Sequence, residues 1–145
     1  MKLSHRAAAR KLGDASGVSA IEFAIVFPIF LIAVLGLLVY AIYFGTVHSV
    51  QQLAAEAARA SVAGISASER ADLAREHVQR AAASYPLIVP GSLTVDAQML
   101  PNDTNLFQID LTYDASDLVI FALRGIVPMP PTQIRRQAVV RRGGY

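Results

Sequence analysis

The run from Val18 to Phe44 reads VSAIEFAIVFPIFLIAVLGLLVYAIYF. From Phe23 to Phe44 it holds no charged residue. At about 1.5 Å per residue this uncharged part makes a helix of ~33 Å, enough for a hydrocarbon core of ~30 Å. A helix apolar on every side belongs in lipid or among helices of its own kind. One residue breaks the pattern: Glu22, just inside the leading edge. Such an acid is costly unless paired, and inside a membrane it marks a functional site by default; otherwise it marks the wet edge of the span.

The flanks set the topology. Residues 1–17 carry Lys2, Arg6, Arg10 and Lys11 against Asp14, a net of +3, and the remaining chain carries nine basic and ten acidic groups, a net of −1. The sequence pI near 9.2 therefore belongs to the leader, not to a nucleic-acid-binding surface. A basic leader stays in the cytoplasm, which sends the C-terminal part across the membrane, with Tyr40, Tyr43 and Phe44 as the aromatic belt at the far interface. An ordinary cleaved signal has an apolar core of about 7–15 residues and a small-residue cleavage site, and neither is present here. The residues alone thus describe an uncleaved signal anchor. The chain has no cysteine, so it can form neither disulfides nor thiolate metal sites.

The spacing of Gly17-Val18-Ser19-Ala20-Ile21-Glu22-Phe23 resembles the processing motif of type IV pilin-like proteins, a glycine followed five residues later by an acid and then an apolar residue. The resemblance implies cleavage between Gly17 and Val18 by a prepilin peptidase on the cytoplasmic side, and assembly through Glu22 and Phe23. Cleavage would create an α-amine at Val18, one helical turn from the Glu22 carboxylate. The continuation Glu22-Phe23-Ala24-Ile25-Val26-Phe27-Pro28-Ile29-Phe30-Leu31 is similar to the EFA-x-x-x-P-x-x-L pattern of TadE-like proteins, minor pilins or pseudopilins of the tight-adherence (Flp, type IVc) pilus system. The alanine-rich Gln51–Ala60 and the closing Ala138–Arg142 resemble further parts of that family. Pro28 removes one backbone hydrogen bond inside the span and is expected to bend it.

Beyond Gly45 the helix is expected to continue to about Ala63, because Val50, Leu53, Ala54, Ala57 and Ser61 recur with helical spacing. Gly64 is read as its C′ residue, and either Ser66, with Glu69 completing a capping box, or Ser68 opens a second helix reaching about Ser84. The small side chains Ala71, Ala74, Val78 and Ala81 form the apolar face of that helix. Two period-two runs follow, Leu93–Met99 and Phe107–Tyr113, joined through Pro101-Asn102-Asp103-Thr104. Ile134, Ala138 and Val140 mark a third strand. Residues 117–123 are read as a helical crossover capped by Ser116 and ended by Gly125, and residues 126–131 as a loop over the sheet edge or a docking surface for a partner.

The fold class is therefore α+β and pilin-like: a long N-terminal helix with a transmembrane first half, a second helix and a small three-stranded antiparallel sheet. Residues 1–17 form a cytoplasmic leader, 18–44 the transmembrane helix, and 45–145 a periplasmic domain of an inner-membrane protein. His5, His48 and His77 lack metal-site spacing, His77 is placed on a solvated helix face, and Asp114 with Asp117 suits turns better than calcium. The chain thus reads as a non-enzyme without cofactor or metal. Its partners are the lipid bilayer, the prepilin peptidase, other pilin-like subunits and the assembly platform, with no nucleic acid. The competing account is an uncleaved membrane-anchored periplasmic adaptor.

Overall fold

The computed structural model describes residues 9–141, with side chains from Gly17 onward. Lys2, His5 and Arg6 of the leader, and Arg142 of the closing segment, lie outside the described residues. The chain divides into two compact units, with the boundary between Leu38 and Val39. Helix α1 (Ala9–Ser61) begins well before Val18, contrary to expectation. The preceding Ala-Arg-Lys-Leu are strong helix formers, and each interior glycine costs only about 1 kcal/mol relative to alanine. In the first unit most large apolar side chains, among them Ile21, Phe23, Ile25, Ile29 and Phe30, are exposed. Pro28 lies inside the helix, whose assignment continues through it.

The second unit holds the rest of α1, helix α2 (Ala67–Ala81), and strands β1 (Leu93–Leu100), β2 (Asp103–Asp114) and β3 (Gln133–Arg141). The strands form one antiparallel sheet in chain order. The expected helical face of α1 is the floor of the core, for Val50, Leu53, Ala54, Ala57 and Ser61 are all fully buried. Above it stand Phe107, Ile109, Leu111 and Tyr113 of β2 and Ile134 of β3, with Ala71, Ala74 and Val78 of α2 at the side. Alternation along β2 explains why the central strand carries the largest buried side chains: both neighbours shield it, so every second residue points wholly into the core.

Several local expectations are corrected. α1 ends at Ser61, and the turn after it closes by Gly64 N–H donating to Ser61 C=O (3.1 Å). Gly64 is not a left-handed C′ residue, because Gly125 alone among the described residues has positive φ. Its glycine is required by proximity instead: a Cβ there would meet the backbone N and Cγ of Arg70, both at 2.8 Å. The α2 cap forms, with Glu69 N–H donating to Ser66 Oγ, but the Glu69 carboxylate reaches one residue further back and accepts from Ile65 N–H. α2 stops at Ala81 and tightens into a 3₁₀ turn over Ala82–Ser84. The hairpin is shorter than expected, with Leu100 opposite Asp103 and only Pro101-Asn102 between them.

The crossover is also shorter, a 3₁₀ turn over Val119–Leu123 whose N-cap is Leu118 without a side-chain bond, not Ser116. The Asp114 carboxylate instead accepts from Ser116 N–H at 3.0 Å and is thereby held below its usual pKa. Gly125 does adopt φ +94°, the conformation a glycine allows at the end of the turn.

Candidate functional site

The motif residues sit at the leading end of the apolar part of α1. Gly17 and Val18 lie within the helix, so Val18 and Glu22 occupy successive turns of one face. Both are exposed, and space is open around Gly17. Phe23 and Phe27, also one turn apart, stack with ring centroids 5.2 Å apart and planes inclined by 26°. A face that presents a carboxylate beside a stacked aromatic pair offers one charged and one apolar contact to whatever packs on it. Among the described residues this face is exposed at Val18, Glu22, Phe23 and Phe27, and Phe23 to Phe44 hold no charge.

The compact unit contains a second polar constellation that the helical pattern did not single out. Glu56 on α1 accepts from the Tyr85 hydroxyl at 3.0 Å and from Gln52 Nε2 at 3.2 Å, and its other oxygen lies 3.4 Å from His77 Nε2 on α2. Partial burial opposes ionisation of Glu56, but the hydrogen bonds from Tyr85, Gln52 and His77 outweigh it and hold the carboxyl below its usual pKa. Burial, and then the bond to Glu56, push the Tyr85 phenol up. One carboxylate thereby joins α1, α2 and the chain leading out of α2. His77, read as solvated, is half-buried in this cluster. The available signal was a tyrosine before the helix-ending Pro86, since an amphipathic ring at such a bend needs a partner for its hydroxyl.

Asp110 and Arg70 are the buried charged residues among those described. Asp110 is only 3% exposed although it lies on the outward face of β2. It accepts from Gln108 Nε2 (2.6 Å) and from Arg135 Nε (3.4 Å), and it stands directly across from Asp96. Arg70 is almost fully buried, and its Nε and Nη1 have no hydrogen-bond partner. A groove of about 330 Å³ between α2 and β1 is lined by Val78, Ala82, Leu93 and Val95 with Arg75 and Gln79. It brings in one guanidinium and no carboxylate or imidazole, so it pairs no acid with a base. Among the described residues no group of three or more His, Asp or Glu could hold a metal ion. His48 is exposed.

Fold and site together define a class: an α+β protein built on one long helix, apolar enough to cross a membrane, with a small antiparallel sheet packed on its polar half. Residues 17–59 match the model of a family described as TadE-like protein, so this segment of the chain is similar to that family. The match begins at Gly17, ends at Arg59 and includes Glu22, Phe23, Pro28 and Glu56. No curated protein matches the chain. No solved structure matches it either.

Proposed function

We propose that the chain is a minor pilin or pseudopilin that supports assembly of a tight-adherence pilus. The observation that carries this reading is the face at the start of the TadE-like segment, where Val18 and Glu22 lie one turn apart on a helix whose apolar surface its own unit leaves uncovered. In this account a prepilin peptidase cuts between Gly17 and Val18 on the cytoplasmic side of the inner membrane. The new Val18 amine pairs with Glu22 of a neighbouring subunit, which neutralises a carboxylate that would otherwise be stranded in lipid. Phe23 with Phe27 packs beside that pair, and Pro28 bends the helix for packing. The compact unit lies on the periplasmic side, where it meets other pilin-like subunits and the assembly platform. The role is structural, not enzymatic.

Cleavage requires the peptide to leave the helix. Gly17 and Gly13 lower the cost, because glycine holds a helix less well than alanine by about 1 kcal/mol at each position. The same helical setting of the Gly17–Val18 bond favours the second reading, an uncleaved anchored adaptor. Intact mass of the protein from its native membrane separates the two: loss of residues 1–17 supports the pilin account, and their retention overturns it. Glu22→Gln, which removes charge at constant size, is expected to insert and be processed but to abolish pilus-dependent adherence. Wild-type adherence in that variant would reduce Glu22 to an interface marker.

A further inference from the structure

The buried face of α1 begins inside the apolar run. Val39 is 1% exposed, while Leu38 beside it is 52% exposed. Tyr43, Thr46, Val47 and Val50 continue the same face, and Tyr43 packs against the core. All of these residues belong to the compact unit that carries the sheet. That unit therefore shields one side of α1 along Val39–Phe44, about 8 Å of helix at 1.5 Å per residue. Each headgroup layer of a bilayer is about 5–8 Å thick, the difference between a total of ~40–45 Å and a core of ~30 Å divided between two faces. Whatever part of the unit covers Val39 stands at headgroup depth when Phe44 marks the end of the span.

Two segments lie at this end of the unit. Leu87 rests against Gly45, its Cδ1 3.1 Å from where a Cβ of residue 45 would stand. Leu87 C=O accepts from the Tyr113 hydroxyl, which in turn accepts from Val89 N–H. This bond network fixes the 86–90 loop to the end of β2. From there the crossover of residues 115–132 departs and returns, closed by Ala115 N–H donating to Thr132 C=O (2.7 Å). Three buried apolar residues stand outside the main core, Val39, Ile120 and Val127, and two of them belong to this crossover. Its outer surface carries Val119 and Ile126, 76% and 56% exposed, and the loop adds exposed Val89.

We propose that the crossover and the 86–90 loop form a foot that rests in the interfacial layer of the same bilayer, with Val119, Ile126 and Val89 inserted among glycerol and upper acyl groups. The proposal rests on α1 being a membrane span. The ligand class is a phospholipid surface, recognised mainly through apolar contact. Arg124, exposed and stacked 5.7 Å from the Phe121 ring centre, can meet a headgroup phosphate. Asp117 on the crossover and Asp114 at the end of β2 offset that charge, so binding is weakly dependent on salt. The foot restrains the compact unit against the bilayer and gives the 126–131 loop a role as a lipid-facing surface.

The absence of native cysteine makes a direct test available. Single variants Val119→Cys, Ile126→Cys, Ile65→Cys and Phe30→Cys of the full chain are labelled with an environment-sensitive nitrobenzoxadiazole dye. They are reconstituted in vesicles of phosphatidylethanolamine and phosphatidylglycerol at two protein-to-lipid ratios. Ile65 is exposed in the α1–α2 turn, beyond the end of a helix that continues ~26 Å past Phe44, and serves as the water-facing control. The labels at 119 and 126 are expected to emit to the blue of the Ile65 label and to be quenched by lipids with a nitroxide near the headgroup, at both ratios and in high salt. Emission at 119 and 126 equal to that at 65 overturns the proposal. Protection that vanishes on dilution into excess lipid assigns the surface to a second copy and also overturns it. The Phe30 label separates the failures: if deep-chain nitroxides do not quench it, the span reading falls and the foot falls with it. If they quench it while 119 and 126 stay wet, only the foot is wrong.

Discussion

Replacing Glu56 by glutamine tests whether one carboxylate joins the two helices. The substitution keeps the shape and leaves an oxygen to accept from the Tyr85 hydroxyl at 3.0 Å, but it removes the charge facing His77 and Gln52. A hydrogen bond to a charged group contributes about 1.5–3 kcal/mol net and a neutral one about 0.5–1.5. Because the Tyr85 and His77 contacts are only partly buried and the Gln52 bond is exposed, the loss at pH 7 should be about 1 kcal/mol. For a unit of roughly 100 residues that lowers the melting midpoint by about 4–8 °C. The pH dependence carries a sign. The folded-state Glu56 carboxyl lies below its ordinary value of 4.5, so its contribution is present above that pH and fades as pH falls through the folded value. The gap between wild type and Glu56→Gln should therefore close in acid. Tyr85 is shifted upward from 10.0, so its contribution is present below that pH and is lost as pH rises through the folded value. Thermal unfolding of the full chain in detergent, followed by tyrosine near-ultraviolet circular dichroism, measures both limbs. Equal melting at pH 7, or a gap that persists unchanged through the acid limb, would refute the reasoning.

Three further outcomes can be read in the same melt. Asp96→Thr should stabilise by about 0.2–1 kcal/mol, because it removes a charge directly opposite Asp110 while Arg135 and Gln108 keep Asp110 partnered. A loss would show that Asp96 has a favourable partner of its own. Arg70→Met should be neutral or stabilising by up to about 2 kcal/mol, since a buried guanidinium with Nε and Nη1 unpartnered recovers little of its desolvation cost. A loss above about 1 kcal/mol would mean that the charge is satisfied. Gly64→Ala should cost about 1–3 kcal/mol, as its Cβ would lie 2.8 Å from the Arg70 backbone, which cannot move without shifting α2. An unchanged melt would show that the α1–α2 turn yields.

The sequence by itself determined the long helix, its buried stripe from Val50 to Ser61, the start of α2 and three alternating strands, because each follows from a local period or a short capping pattern. It also carried the spacing of Gly17, Val18 and Glu22, which is a matter of chain distance alone. Only the tertiary structure decided that Glu56, His77 and Tyr85 meet, since they are brought together by the packing of α2 on α1 and not by any spacing. Burial of Asp110 likewise depends on Arg135 and Gln108 closing over it, which the alternation of β2 does not announce. Gly64 gives the same lesson in one residue: a glycine after a helix suggests a left-handed cap, but the close approach of Arg70 from a different helix is what requires it. Val39 shows it most plainly. Its place in an apolar run is local, whereas its near-complete burial, beside a half-exposed Leu38, belongs to the folded unit that begins there.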